Sequence, residues 1–156
     1  MLALLGAAAC APSPPARLDL TVLRPADTLQ FTVPFRVRAC SDSPGAVLEG
    51  DDGATGVLLL LRPGDAAGPG MYDIRAPAES AVTRHARVAV RYETGGVSRS
   101  LVLDHGTARF DTAGGWWSGE LEGGGIEVAG GTRPEIRAQF SGVAPPADST
   151  HCGAKS

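Results

Sequence analysis

Hydrophobic and polar residues alternate along most of this chain, and a period of two predicts strands rather than helices. Leu18-Asp19-Leu20-Thr21-Val22 alternates strictly, which turns Leu18, Leu20 and Val22 to one side. Leu29–Val33 repeats the pattern, and Phe35–Ala39 continues it beyond Pro34. Proline offers a ladder no N–H, so an edge strand or a bulge is expected there. Met71–Arg75 makes a short strand, and Ala86–Tyr92 and Val97–Leu103 flank Glu93-Thr94-Gly95-Gly96 as a hairpin. The last strand is Glu135–Ser141, with Ile136, Ala138 and Phe140 inward.

Four segments leave the alternation. Val57–Leu61 is a continuous apolar run, the pattern of a strand buried on both faces. Ser41–Gly56 is polar and rich in Gly and Asp, and reads as a long surface loop. Pro77–Arg84 offers a single helical turn with proline at its first position. Gly123-Gly124-Gly125 and Gly130-Gly131 read as turns on either side of a short apolar piece, Ile126-Glu127-Val128.

The most distinctive hairpin is Gly106–Glu122, reversed by Gly114-Gly115 and carrying both tryptophans. Neighbouring residues on a strand face opposite ways, so regular pairing buries at most one of the two. Trp117 shares parity with Leu121 and is the core candidate; Trp116 falls with Ser118 and Glu120. An exposed Trp116 is a candidate surface contact, suited to a sugar, a membrane interface or a protein. The plainer alternative lays it over a neighbouring loop. Together the segments predict an all-β fold, an antiparallel β-sandwich of nine or ten short strands spanning 18–143. A closed or partly open antiparallel barrel is the alternative.

Composition changes this picture little. The 21 glycines and 12 prolines suit many short strands and turns. Thirteen of the fourteen basic residues are Arg, yet they are dispersed and the net charge is -3, which argues against nucleic acid as a partner.

The first residues add a compartment. Met1–Ala9 is apolar, ends in small residues and is too short to span a bilayer, as in the end of a secretory signal. Ala7-Ala8-Ala9-Cys10, followed by the Pro-rich spacer 10–17, resembles the lipobox of small bacterial lipoproteins of unassigned function. That resemblance implies a lipid on Cys10, attachment to a membrane of the cell envelope and a domain outside the cytoplasm; it implies no activity. An ordinary cleavage site, with a secreted or periplasmic protein, is the alternative. If Cys10 carries lipid, Cys40 and Cys152 remain to pair in an oxidising compartment, which would pin the polar tail 144–156.

Catalytic patterns are sparse. His85, His105 and His151 show no zinc-type spacing, and no Cys-x-x-Cys or Gly-x-Ser-x-Gly occurs. Glu49-Gly50-Asp51-Asp52-Gly53 clusters carboxylates without the alternating spacing that wraps Ca²⁺. Glu120 and Glu122 share a strand face, where cross-strand pairing with Arg109 or another arginine is the expected use. No cofactor is implied. The expected function is a non-catalytic, extracytoplasmic binding or envelope-associated module for a protein or glycan. One alternative is a hydrolase that brings Asp104, His105 and Glu120 together from separate segments. The other is a barrel for a small apolar ligand.

Overall fold

The alternation of Leu18, Leu20 and Val22 forms β1 (Arg17–Leu23), with all three side chains buried. The computed structural model describes residues 16–64, 68–77 and 83–153, and it is all-β there. After β1 come β2 (Thr28–Cys40), β3 (Ala46–Asp51), β4 (Gly56–Arg62), β5 (Gly70–Ile74) and β6 (His85–Thr94). They are followed by β7 (Val97–Ala113), β8 (Trp116–Glu127), β9 (Glu135–Val143) and the two-residue β10 (Ser149–Thr150). All ten belong to one sheet, ordered β1-β9-β8-β7-β5-β6-β4-β3-β2-β10. Additional pairing of β1 with β2, and of β6 with β7, makes the sheet a ring of mostly antiparallel neighbours.

Two details show how the ring is made. β2 uses residues 28–34 against β1 and 35–39 against β3. Pro34 therefore sits where one ladder ends and the next begins, within an unbroken strand. On the other side, β6 and β7 pair only near their hairpin and then part, and β5 fills the wedge. The parting coincides with a bulge at Asp104, between Leu103 and His105 of β7.

The inside is apolar and contains a run of rings. Tyr72 lies 5.5 Å from Phe110, Phe110 lies 5.9 Å from Phe140, and Phe140 lies 4.8 Å from Phe35, centroid to centroid. The elements that supply them are distant in sequence, so this run is a long-range tie across the ring. Both two-glycine hairpins form as expected: Thr94 pairs Val97 around Gly95-Gly96, and Ala113 pairs Trp116 around Gly114-Gly115. All four of these glycines have positive φ, as the tight primed turn requires.

Several expectations need correction. The predicted loop 41–56 contains β3, because Gly50 is a strand glycine and not a turn: a Cβ there would come within 2.7 Å of the Pro34 carbonyl oxygen. Val57–Leu61 is buried on one face only; Leu58 is 46% exposed because, among the described residues, no second layer covers the outside of the ring there. Gly123–Gly125 is not a turn but the middle of β8, facing the bulged stretch of β7. Once those glycines are strand, parity carries from Leu121 through Gly123 and Gly125 to Glu127. Glu127 is therefore the buried residue, and Ile126 and Val128 face out. Most of the predicted helical turn, 78–82, lies outside the described residues, as do Cys10 and the segment 1–15.

Gly125 provides a direct check on the bulge. A Cβ there would strike the Val102 carbonyl oxygen and Leu103 Cα, both backbone atoms that cannot swing away. Its φ is not positive, so alanine meets no backbone penalty beyond that clash. Gly125→Ala is expected to destabilise the fold by about 2–4 kcal/mol in urea denaturation. A change within ~0.5 kcal/mol would contradict the close approach of β7 and β8.

Candidate functional site

The outside of β1, β9, β8, β7 and β5 carries two cross-strand rows of polar residues. One runs Asp19–Gln139–Glu120–Arg109–Met71, and the next runs Thr21–Arg137–Glu122–Thr107–Asp73. Each row is the outward half of strands whose other half builds the core, so alternation alone gathers these groups. All of them but Asp73 line a groove of about 490 Å³, continuous through Asp19, Arg109, Glu120 and Gln139 with a second of about 550 Å³ that adds Arg17, Asp111, Ser118 and Ser141.

The charges in this groove are not spent on each other. Register sets Glu120 opposite Arg109 and Glu122 opposite Arg137, yet neither pair closes. Arg109 turns instead to Asp111, Nε to Oδ2 at 3.6 Å, and Asp19 accepts from Thr32 Oγ1 at 2.7 Å. The expected Glu120–Arg109 pair is therefore corrected. Among the described residues, Glu120, Glu122, Arg137 and Gln139 make no side-chain hydrogen bond or ion pair within the chain, and all four are exposed. Trp116 stands at the tip of the same strand face, two residues beyond Ser118, and is 48% exposed. Trp117 is half-buried and packs on the core.

Of the hydrolase candidates, Asp104 and His105 meet and Glu120 lies apart. His105 pairs Gly124 and Glu120 pairs Arg109, which puts them four residues apart along β8, roughly 13 Å at strand rise. Asp104 and His105 form a local ionic group instead: His105 Nδ1 lies 2.7 Å from Asp104 Oδ1, and Arg133 donates to Asp104 Oδ2 at 2.7 Å. Glu135 Oε1 lies 3.4 Å from His105 Nε2. The Asp104 hydrogen bond, helped by Glu135 against slight burial, raises the imidazole pKa; the same bond and Arg133 lower that of Asp104. Carboxylates thus face both ring nitrogens and favour the charged form of the ring.

The acidic loop is committed to its own turn and to arginines. Asp51 Oδ1 accepts from Gly53 N and Asp52 Oδ1 from Ala54 N and Thr55 N, at 2.6, 3.0 and 2.7 Å. Arg91 donates to Asp51 at 2.9 Å and Arg36 to Glu49 at 2.8 Å. Beside it, the outer row Leu58–Ala89–Val102–Ile126 crosses four strands and leaves Leu58 and Ile126 about half exposed.

One group was not foreseen. The Glu127 carboxylate, buried at one end of the ring, accepts from Tyr92 Oη at 2.8 Å, Thr132 Oγ1 at 2.6 Å and Arg99 at 3.0 Å. Burial alone would raise its pKa; the hydrogen bonds from Thr132 and Tyr92 and the Arg99 charge outweigh that and hold it below the usual range. At the other end, Cys40 and Cys152 are bridged, with Cα atoms 5.5 Å apart. Cys40 is the last residue of β2, and the parallel pairing Thr150↔Cys40 brings the tail alongside it. A bridge at the strand's end thus explains how Cys40, off the Phe35–Val37 face, finds its partner. Asp42 caps the returning tail, accepting from Cys152 N at 3.0 Å and Gly153 N at 2.6 Å. Those backbone bonds, against some desolvation, lower its pKa to about 2.

Comparison of the chain with protein-family models, with curated proteins and with solved structures finds no match to any of them.

Proposed function

We propose that this is a non-catalytic, extracytoplasmic binding module, held to a membrane by a lipid on Cys10, whose polar outer face takes a glycan. One observation carries the reading. Glu120, Glu122, Arg137 and Gln139 lie side by side on one groove with their hydrogen-bonding groups unclaimed by the chain. Planar carboxylate, guanidinium and amide groups match pairs of neighbouring hydroxyls, and Trp116, exposed four residues before Glu120 on the same strand, supplies a stacking surface. Arg109 and Arg137 set against Asp19, Glu120 and Glu122 give two positive and three negative charges, or -1. That balance favours neutral or N-acetylamino sugars over strongly acidic ones. The Cys40–Cys152 bond supports the compartment, since such bonds persist where thiols are oxidised.

A panel of neutral, N-acetylamino and acidic soluble oligosaccharides tests the proposal, read by tryptophan fluorescence. Binding to a neutral or N-acetylamino member is expected. The double variant Glu120→Gln, Arg137→Gln should weaken it tenfold or more, and Trp116→Ala should weaken it three- to tenfold. Wild-type affinity in both variants would remove the reading.

A further inference from the structure

The clasp at Cys40 and Cys152 gathers more than two sulfurs. Both Sγ atoms and an Asp42 carboxylate oxygen lie within 4.8 Å of one another, and His151 Nδ1 lies 3.4 Å from Asp42 Oδ2. Two sulfurs, one oxygen and one imidazole nitrogen form a ligand set that suits tetrahedral Zn²⁺. The set is made of two short pairs, Cys40-Ser41-Asp42 and His151-Cys152, more than a hundred residues apart.

We infer that this cluster has a second state: with the disulfide reduced, Cys40, Cys152, Asp42 and His151 bind one divalent ion of the zinc class. The inference rests on how the sulfurs are held. The bridge is only one of the bonds that fix the tail. Ser41 N donates to Thr150 O at 2.9 Å and Ala39 N to Asp148 O at 3.1 Å. Arg38 Nε lies 3.5 Å from Asp148, Arg62 donates to the Cys152 carbonyl, and Asp42 caps Cys152 and Gly153. None of these contacts runs through the S–S bond, and each acts to keep the two thiols close, so a metal need not gather its ligands from a disordered chain. A Cα separation of 5.5 Å lets two thiolates move apart onto one ion by side-chain rotation. His151 is largely exposed and free to turn toward the ion.

The chemistry balances. A dithiol reductant gives two electrons and two protons to the Cys40–Cys152 bond and becomes a disulfide itself. Binding of the ion then releases the two cysteine protons, because thiolates are the ligands. A disulfide oxidant takes two electrons from the two thiolates, picks up two protons to become a dithiol, and so re-forms the Cys40–Cys152 bond and releases the metal.

Cobalt(II) is the probe, added to the full chain carrying Cys10→Ser so that the third cysteine cannot contribute. The protein is reduced with a phosphine that is removed before the metal is added. The reduced chain is expected to develop the visible absorption of tetrahedral, thiolate-bound cobalt at one equivalent, displaced by Zn²⁺; the oxidised chain should develop none. Asp42→Ala and His151→Ala should each weaken binding tenfold or more, and Cys40→Ser should abolish the bands. Circular dichroism runs alongside. If reduction loosens the fold, metal should restore it. Overturning results are a folded, reduced chain without bands, an unfolded one that metal does not rescue, or bands that persist in Cys40→Ser.

Discussion

Replacing Cys40 and Cys152 together by alanine is expected to lower stability by about 4–5 kcal/mol on a chain-entropy account. The bond closes a separation of 112 residues, nearly the whole described chain, so its removal frees an unusually large unfolded ensemble. The folded state supports the same direction. β2 runs past the end of its pairing with β1, and β10 takes the edge that β1 leaves. A two-residue parallel pairing is too short to hold itself, so the covalent tie and the Asp42 cap maintain it. Urea denaturation of the oxidised wild type against the double variant measures the difference. Amide exchange near Ser41 and Cys152 should quicken even where the global loss is small. A loss under ~1 kcal/mol would mean that the noncovalent contacts alone close this end of the ring.

Glu127→Ala is expected to cost about 3–4 kcal/mol, because it removes the acceptor of three donors at once, buried Tyr92, half-buried Arg99 and exposed Thr132. Tyr92 is fully buried and has no water to turn to, and Arg99 loses its only carboxylate partner among the described residues. Glu127→Gln keeps the shape and one acceptor oxygen, and should cost roughly half as much. The pH dependence follows from the lowered pKa. A carboxyl lowered on folding contributes fully above its unfolded value of about 4.3, and that contribution is lost as pH falls through its folded value. The wild type should therefore weaken more steeply than Glu127→Gln below about pH 4. Equal acid sensitivity in the two proteins would assign the loss to other carboxyls, Asp42 among them.

Alternation made the β class, the two glycine hairpins and the inward sets of β1, β6 and β9 legible from residues alone. It failed where a glycine does something other than turn the chain. Gly50 and Gly123–Gly125 look like loops because glycine is the usual residue of loops, yet each is a strand position with no room for a Cβ: backbone passes too close at Gly50, Gly123 and Gly125, and the Glu135 carboxylate at Gly124. Misreading that run hid the parity of Glu127, and with it the buried carboxylate. The open charges of the groove were only half legible. Spacing showed that Glu120 and Glu122 share a face, but which arginine each would meet depends on strand order, and that order is set by β9 and β1 from opposite ends of the chain. The disulfide was legible by cysteine count, whereas the Asp42 and His151 beside it were not, since nothing local links residues so far apart.

On the proposed function, the polar outer face of β1, β9, β8 and β7 is the binding surface. Amide and indole shifts of the isotopically labelled protein, followed as the neutral and N-acetylamino oligosaccharides are titrated in, test it most directly. The account predicts changes concentrated at Asp19, Glu120, Glu122, Arg137 and Gln139 and at the Trp116 indole N–H. Changes centred on the Leu58–Ala89–Val102–Ile126 row, or none with any member of the panel, would contradict it.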